Sequence, residues 1–389
     1  MIIINWPDKP SIRAAIAEAD NILAPEFRDR YVANEIMPAK RRMPAMATCE
    51  EGGFALAFIL KEKNSSDIPN KKILKVFFQY WKEDYDRTTQ RFNLISSFIN
   101  SHHELNKYFV DFHFIRDALR VGGEHLPGIS MDLVNGDTLG DFFVKCRERG
   151  RFTNNVFATL AKEFLEMCRT FRHLGMAHGD LSNKNIIVTP GHHIKLIDYD
   201  SVFVPDMGSN FEQTTSGDAH FQHPTRIESD SPACNNDDNF SQIVIYTILL
   251  ALSKDSSLLQ IANKDEVFMA EDFVSETSLI NSRVYKTMAK INDSEVNYML
   301  QFLRQAVNCK KSKDIPFLAD IIKKRVSEEP KKVDGKYRYE IPKSLNNPVG
   351  KKGERCVFCN FIISNGYPQA NNCPNCGAPR VTYKITEKI

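Results

Sequence analysis

The chain has 389 residues, 42% of them hydrophobic, which is enough apolar material for at least one large core and for two or three lobes. Its 51 basic and 49 acidic residues leave a formal net charge of only +2, so no overall field favours nucleic acid or a membrane surface as a partner. The apolar start, MIII, is too short for a signal-peptide core or a membrane span. We therefore expect a soluble, cytoplasmic protein.

Residues 1–44 are predicted to form a helical arm. Ile12, Ala15 and Ile16 recur at the spacing of one helix face, and Ser11 is placed to cap that helix. We interpret this segment as an arm that docks on the rest of the chain.

Two predicted strands follow, joined by a polar turn. The pair Gly52-Gly53 precedes the alternating apolar residues of the first strand, and such a pair is usually an ordinary turn, although some cradle phosphate. Lys75 lies within the apolar run of the second strand, and taken alone it is expected to face solvent. If it points inward it needs an anionic partner, because an unpaired buried ammonium is costly.

The pattern then changes from strands to helices. The predicted elements are, in order, an amphipathic helix at 85–98, strands at 108–119 and 126–134, a turn at 135–136, and helices from residue 139 and over 154–174. The chain is thus a small strand-rich half followed by a helix-rich half.

The stretch from His178 to Asp200 concentrates the residues with chemical potential. Asp180 and Asp198 lie on either side of a short apolar hairpin, and Asn185 follows the first carboxylate by five residues. Singly, an Asp or Asn in such a place is usually a turn or capping residue. The ordered set instead fits a catalytic loop, a β-hairpin and a metal-binding Asp.

This stretch resembles the catalytic centre of protein kinases. His178, Asp180 and Asn185 match the motif H-x-D-x-x-x-x-N, and the triplet 198–200, Asp-Tyr-Asp, stands where kinases have D-F-G. Asp238 resembles the structural Asp that begins the central helix of the large lobe.

The resemblance implies an α+β, bilobal protein-kinase-like fold. Residues 45–134 would form a small β-rich N-lobe with the hinge, and residues 135–326 a large helical C-lobe. More narrowly, four segments together resemble the bacterial kinase-like proteins associated with tellurium-resistance-type von Willebrand factor A and phosphatase partners, namely GGFALAF, LIDYDSVFVP, FQHP and DNFSQIVIY. That resemblance implies protein substrates or partners, among them a phosphatase and a von Willebrand factor A protein, and no role for nucleic acid.

The kinase resemblance also assigns roles to individual residues. Asp180 would orient the acceptor hydroxyl and take its proton, and Lys75 would hold the α- and β-phosphates of ATP. Asn185 and Asp198 would supply the hard oxygen ligands that Mg²⁺ prefers. The nucleotide would further contact backbone amides of Gly52, Gly53 and Phe54, side chains of Ala57, Ile73, Met131 and Ile187, and backbone groups of Asp132 and Val134.

Four departures from the kinase pattern change the expected mechanism. Gly179 replaces the arginine that in many protein kinases pairs with an activation-loop phosphate, so that mode of switching is not expected. Ala55 replaces the third glycine of the Gly-rich loop, which should stiffen it. The helix after Lys75 has no well-placed glutamate, and Gln90 lies nearest. Asp200 replaces the glycine of D-F-G, and it either binds a second metal or caps a turn.

The segment after Asp200 carries Thr214, Thr215 and Ser216 near its middle. They are either autophosphorylation sites or plain solvated hydroxyls. FQHP at 221–224 replaces the usual A-P-E, so the peptide-docking platform is expected to differ from that of ordinary protein kinases.

Residues 327–354 are rich in charge and proline and are predicted to be a linker to a zinc ribbon at 355–389. Two Cys-x-x-Cys turns can direct four thiolates at one point, which satisfies tetrahedral Zn²⁺. A segment this short has no adequate apolar core, so the metal would supply most of its folding energy. We favour protein docking over nucleic-acid binding for this ribbon. Its four predicted ligands are Cys356, Cys359, Cys373 and Cys376.

Three functions from different classes remain open at this point. The leading hypothesis is an ATP- and Mg²⁺-dependent Ser/Thr protein kinase of a bacterial signalling or stress-response system. A nucleotide-binding pseudokinase scaffold is the alternative suggested by the altered Gly-rich loop and the missing helix glutamate. A small-molecule kinase is the third, since H-G-D also occurs in antibiotic kinases.

The zinc prediction is tested by metal content. Purified protein should contain about one zinc per chain, because four thiolates complete one tetrahedral site. The double variant Cys373→Ser/Cys376→Ser should lose it, whereas Cys49→Ser, a single cysteine elsewhere, should keep it. Inductively coupled plasma mass spectrometry measures the zinc content of the parent and of both variants. Zinc-free protein with disulfide-linked cysteines would contradict the prediction.

Overall fold

The computed structural model describes residues 5–40, 43–63, 70–79, 85–149, 154–209, 211–228 and 231–328, with side chains as far as residue 325, and the backbone of a few short strands beyond. The helices are Lys9–Ala17 (α1), Tyr85–Ser101 (α2), Leu139–Arg149 (α3), Asn154–Leu174 (α4), Pro224–Ile227 (α5), Asn239–Lys254 (α6), Glu276–Asn281 (α7), Arg283–Lys290 (α8), Ser294–Val307 (α9) and Leu318–Glu328 (α10). The strands are Tyr31–Ala33 (β1), Ile36–Met37 (β2), Met46–Ala47 (β3), Glu50–Glu51 (β4), Ala55–Glu62 (β5), Lys71–Phe77 (β6), Phe112–Val121 (β7), Glu124–Asp132 (β8), Asp137–Thr138 (β9), Ile186–Val188 (β10), Ile194–Leu196 (β11), Lys331–Val333 (β12), Lys336–Arg338 (β13), Glu354–Cys356 (β14), Ile362–Ile363 (β15) and Thr382–Lys384 (β16).

The strand-rich half forms one antiparallel sheet in the order β1-β5-β6-β8-β7, with β4 paired to β5. Ala57, Lys75 and Ile129 lie opposite one another across three neighbouring strands. Because residues that pair across strands point to the same side, these three share one face of the sheet. The mixed architecture, with this sheet first and helices after it, is compatible with the predicted protein-kinase-like fold.

The two faces of the sheet bury different cores. The face away from Lys75 carries Leu56, Phe58 and Leu74, which pack in one cluster with Ile12 and Ile16 of α1. The Lys75 face contributes its apolar residues to the large core of the helical half. The sheet is therefore covered on both sides, and α1 supplies part of the cover.

The N-terminal arm differs in detail from the expectation. Asp8, not Ser11, caps α1, and its carboxylate accepts a hydrogen bond of 2.7 Å from the Ser11 backbone N–H. Pro10 explains the shift, because proline is favoured in the first turn, where its missing N–H costs nothing, and the cap must precede it. The arm also adds β1 to the sheet edge beside β5. The predicted division at residues 44 and 45 stays a prediction.

The helical half is built around α4 and α6. The helix predicted over 154–174 is observed as α4 at those residues. Helix α6 is buried from Asn239 to Leu252, so its apolar run belongs to the core. Within the part of the chain that the structure describes, no helix is long and apolar enough to cross a membrane.

The C-terminal predictions fall mostly outside the described residues. Cys359, Cys373 and Cys376 lie there, and Cys356 ends β14, of which only the backbone is described. Strand β14 pairs with β15 and β16, and β12 pairs with β13. The linker and the zinc ribbon stay predictions.

The role of the arm as part of the N-terminal core is testable by truncating one side chain. Ile16→Ala should lower the free energy of unfolding by about 2–5 kcal/mol, because this fully buried residue leaves a cavity. The same substitution at exposed Ile36 should change it by no more than about 0.5 kcal/mol. Chemical denaturation measures both, and equal effects would mean that the arm does not contribute to the core.

Candidate active site

Lys75 of β6 points inward. Its side chain is 13% exposed, and its Nζ lies 2.6 Å from Asp198 Oδ1 and 2.6 Å from Asp200 Oδ2. The solvent-facing alternative for this lysine is therefore wrong. Since β6 belongs to the sheet and both carboxylates follow β11, these ion pairs join the two halves of the chain.

The charges at this point stabilise one another. Burial lowers the pKa of Lys75, but Asp198 and Asp200 outweigh it and raise the pKa above its usual value. Burial raises the pKa of Asp200 to about 6, although Lys75 opposes this. Burial also acts to raise the pKa of Asp198, but Lys75 more than offsets that effect, so the pKa is lowered. Lys75 and Asp198 are thus held in their charged forms.

The segment that carries the two carboxylates has a defined backbone. Asp198 has φ 66° and ψ 78°, in the left-handed region, and a single 3-10 turn at Tyr199–Ser201 follows it. The buried Tyr199 hydroxyl donates to the Leu196 carbonyl at 2.9 Å and accepts from the Val110 backbone N–H at 3.0 Å. These bonds hold the segment at the end of β11 and orient Asp198.

The predicted catalytic loop, residues 178–185, is anchored to the buried helix α6. Asp238, at the start of α6, accepts hydrogen bonds from the backbone N–H groups of His178 at 2.5 Å and Gly179 at 2.9 Å. The His178 Nε2–H donates to the Ile197 carbonyl at 3.0 Å, so the loop is also tied to the residue before Asp198. This gives Asp238 the structural position that the sequence suggested.

Asp180 and Asn185 are joined within the same loop. The Asn185 amide nitrogen donates to the Asp180 carbonyl at 2.8 Å, which leaves the amide oxygen as the atom that would bind a metal. Asp180 Oδ1 accepts from the Asp218 backbone N–H at 3.0 Å. Burial, with a contribution from the negative charge of Asp198, raises the pKa of Asp180 to about 6.

Three of the predicted nucleotide contacts, Ala57, Ile73 and Met131, lie on the Lys75 face of the sheet. Gly52 and Gly53 form the exposed tip between β4 and β5, where the Gly52 N–H donates to the Ala55 carbonyl at 2.9 Å. Phe54 follows them, half-buried against the large core. The remaining predicted contacts are Ala57, opposite Lys75; Ile73, opposite Met131; Asp132 and Val134, at and after the end of β8; and Ile187, in β10, which pairs with β9.

Helix α2 presents an unexpected residue. Gln90 is exposed, whereas Arg91 is only 1% exposed and donates from Nη2 to the Glu212 carbonyl at 2.7 Å. The positive charge of Arg91 also acts on Asp200. Among the described residues, the carboxylates that pair with Lys75 are therefore those of Asp198 and Asp200, and none comes from α2.

The segment after Asp200 packs into the site. The Thr214 hydroxyl donates to the Asp200 carbonyl at 2.9 Å, and Thr215 Oγ1 accepts from the Gly217 N–H at 3.1 Å. Thr214, Thr215 and Ser216 are half-buried. The two alternatives for these hydroxyls, autophosphorylation sites or solvated residues, stay predictions.

Arg226, two residues after FQHP, is a buried residue that the sequence reasoning missed. Its guanidinium donates to the Gly179 carbonyl at 2.6 Å and to the Ser216 carbonyl at 3.3 Å. It thereby links the catalytic loop to the end of the following segment. A signal was present in the sequence, since an arginine close to FQHP needs hydrogen-bond acceptors if that segment is buried.

A second charged cluster lies beside the catalytic loop. Lys184 Nζ lies 2.7 Å from Asp218 Oδ2 and 3.9 Å from Glu266, and His220 Nδ1 lies 2.9 Å from Asp218 Oδ1. The acidic and histidine side chains are close enough for metal binding, but the Lys184 ammonium already provides a cation there. The sequence could not reveal this cluster, because Glu266 is far from the other members along the chain.

The buried sheet lysine opposite two aspartates and the loop anchored on a core helix are compatible with a protein-kinase-like fold. No protein-family model matches the chain. Among curated proteins, a probable cAMP-dependent protein kinase catalytic subunit from Encephalitozoon cuniculi (strain GB-M1) is 29% identical over 143 residues. The match covers 36% of this chain and 39% of that protein, so the chain spans well under half of the relative's length.

Gly179 is required by the close packing of the catalytic loop. Its φ is +81°, and a Cβ there would overlap the Ser201 carbonyl oxygen, so the arginine of ordinary kinases does not fit this backbone. Gly122 has a similar φ of +61°, but a Cβ there would meet open space.

This pair of glycines separates backbone strain from steric overlap. Gly122→Ala should cost about 1–2 kcal/mol, because an L-residue is strained in the left-handed region. Gly179→Ala should cost about 1–3 kcal/mol more, because the surrounding backbone must also move. Denaturation curves of the two variants measure the difference. Equal costs would contradict the packing of Gly179 against Ser201.

Proposed function

We propose that the chain is an ATP- and Mg²⁺-dependent phosphotransferase, and more specifically a protein kinase that acts on serine or threonine. One observation carries the proposal: the buried sheet lysine Lys75, the predicted metal ligand Asp198 and the loop carboxylate Asp180 lie close together. Phosphoryl transfer depends mainly on positioning and on charge neutralisation, and these groups supply both.

Each residue has a task that its surroundings support. Lys75 is held charged and would neutralise the phosphates. Asp180 has a pKa of about 6, so it is mainly ionised at neutral pH and can accept the proton of an acceptor hydroxyl. The hydrogen bond from the Asp218 N–H to Asp180 Oδ1 orients that carboxylate.

The donor set fits Mg²⁺. The Asp198 carboxylate is 41% exposed. The hydrogen bond of Asn185 is made by its amide nitrogen, which leaves the amide oxygen for a metal. Both side chains therefore offer hard oxygen ligands. When bound there, Mg²⁺ would neutralise charge on the phosphates of the nucleotide. Asp198 Oδ1 also pairs with Lys75 at 2.6 Å.

The packed segment supports a protein rather than a small-molecule acceptor. Residues 211–228 are joined to the catalytic loop through Arg226, which provides a formed surface beside Asp180. The predicted zinc ribbon would add a docking module. A bacterial signalling or stress-response role, with a phosphatase and a von Willebrand factor A protein as partners, belongs to the same proposal and rests on the resemblance of four short segments.

A nucleotide-binding pseudokinase is the second candidate, and one observation favours it. Asp198, the predicted metal ligand, already pairs with Lys75 at 2.6 Å, and this pair competes with both metal and phosphate. Such a protein would bind ATP without turning it over.

The decisive variant is Asp180→Asn, which keeps the size of the side chain and removes the base. Phosphate transfer to the chain itself or to copurifying proteins, mapped by mass spectrometry after incubation with labelled ATP, should fall about 100-fold or more. Nucleotide binding should persist, and Asp111→Asn, an exposed carboxylate, should behave as the parent. Transfer that is independent of Asp180 would refute the assigned base, and ATP binding without transfer in the parent would favour the pseudokinase.

A further inference from the structure

Asp200 is the residue whose position departs most from the kinase pattern. Its Oδ2 lies 2.6 Å from Lys75 Nζ, and its side chain is 19% exposed, less than the 41% of Asp198. We propose that Asp200 positions Lys75 and thereby takes the task that the kinase resemblance gives to a glutamate on the following helix. This inference deepens the proposed function and rests on it.

The charges around Lys75 leave this task to Asp200. A lysine buried to this degree needs a carboxylate that stays in place, because removing its partner leaves an uncompensated charge. The described part of α2 turns Arg91 inward instead of an acid. Asp198 is the more exposed of the two carboxylates and is the one suited to metal, so the deeper Asp200 is the partner that can remain with Lys75 throughout.

The geometry disfavours a turn-capping role for Asp200. The 3-10 turn at Tyr199–Ser201 has no side-chain cap bond, and the Asp200 carboxylate is turned to Lys75. Its other oxygen, Oδ1, is buried and has no hydrogen-bond partner among the described residues. Because of that oxygen, one alternative role for Asp200 remains, that of a second metal ligand. The experiment below distinguishes this role from the positioning of Lys75.

Asp200 is held by the segment that follows it. The Thr214 hydroxyl donates to the Asp200 carbonyl at 2.9 Å and accepts from the Ser201 hydroxyl at 3.1 Å. The orientation of Lys75 is thus coupled to residues 199–214. Order in that segment is therefore a condition for a correctly placed lysine.

A double-variant cycle of Asp200→Asn and Lys75→Met tests whether the two residues act as a unit. Lys75→Met alone leaves the carboxylates of Asp198 and Asp200 without their cation and should lower the melting temperature by several degrees. Adding Asp200→Asn should restore part of that loss. Asp206→Asn, an exposed carboxylate nearby, should restore none. This measurement needs no activity, so it remains informative if the proposed function is wrong.

The second readout separates positioning from metal binding. Asp200→Asn should lower the rate of phosphate transfer about 10- to 100-fold, a loss typical of a misplaced group, and Asp200→Glu should recover part of it. In the Lys75→Met background the same change should have no further effect. The Mg²⁺ concentration that half-saturates ATP binding, followed with a fluorescent nucleotide, should stay unchanged.

Two results would overturn the inference. One is strict additivity of the two substitutions in melting temperature, which would mean that Asp200 does not act through Lys75. The other is a several-fold rise in the required Mg²⁺ concentration for Asp200→Asn, which would make Asp200 a metal ligand. If the parent transfers no phosphate, the proposed function fails, while the thermal cycle and the Mg²⁺ titration still decide the role of Asp200.

Discussion

The ammonium of Lys75 between Asp198 and Asp200 is the interaction on which the arrangement of the site depends. The lysine belongs to the central part of the sheet, and both carboxylates follow the hairpin of the helical half, more than a hundred residues later. An unpaired charge in this place would be strongly destabilising, so β6 and the segment after β11 must face each other. The sheet and the helical half are thereby joined at this site.

The helical half provides the rigid base for that site. Asp238 is fully buried at the start of α6, and the two backbone N–H groups that it binds belong to the loop that carries Asp180. A buried carboxylate needs such hydrogen-bond donors, and these bonds in turn fix the loop relative to the core helix α6. Arg226 closes the same loop from the other side through the Gly179 carbonyl. The site is therefore preorganised by buried polar contacts on rigid elements.

The same contacts explain why this chain tolerates its departures from the kinase pattern. Gly179 lies so close to Ser201 that no side chain fits, and Arg226 reaches the loop from the segment after it. Asp200 stands at a position where ordinary kinases have glycine, and it pairs with the lysine that lacks a partner on α2. The departures at Gly179 and Asp200 are thus each matched by a contact elsewhere in the site.

The sequence by itself determined the parts of this protein that local spacing encodes. Asp180, Asn185 and Asp198 lie within one loop and one hairpin, so their order predicted a shared site, and helical periodicity predicted α4. Only the tertiary structure decided which way Lys75 points, that Arg91 rather than Gln90 is buried, and that Asp200 binds the lysine. These outcomes depend on residues far apart along the chain, such as Lys75 and Asp200, which are 125 positions apart. Periodicity describes one element at a time, whereas the partner of a buried charge is set by how the elements pack.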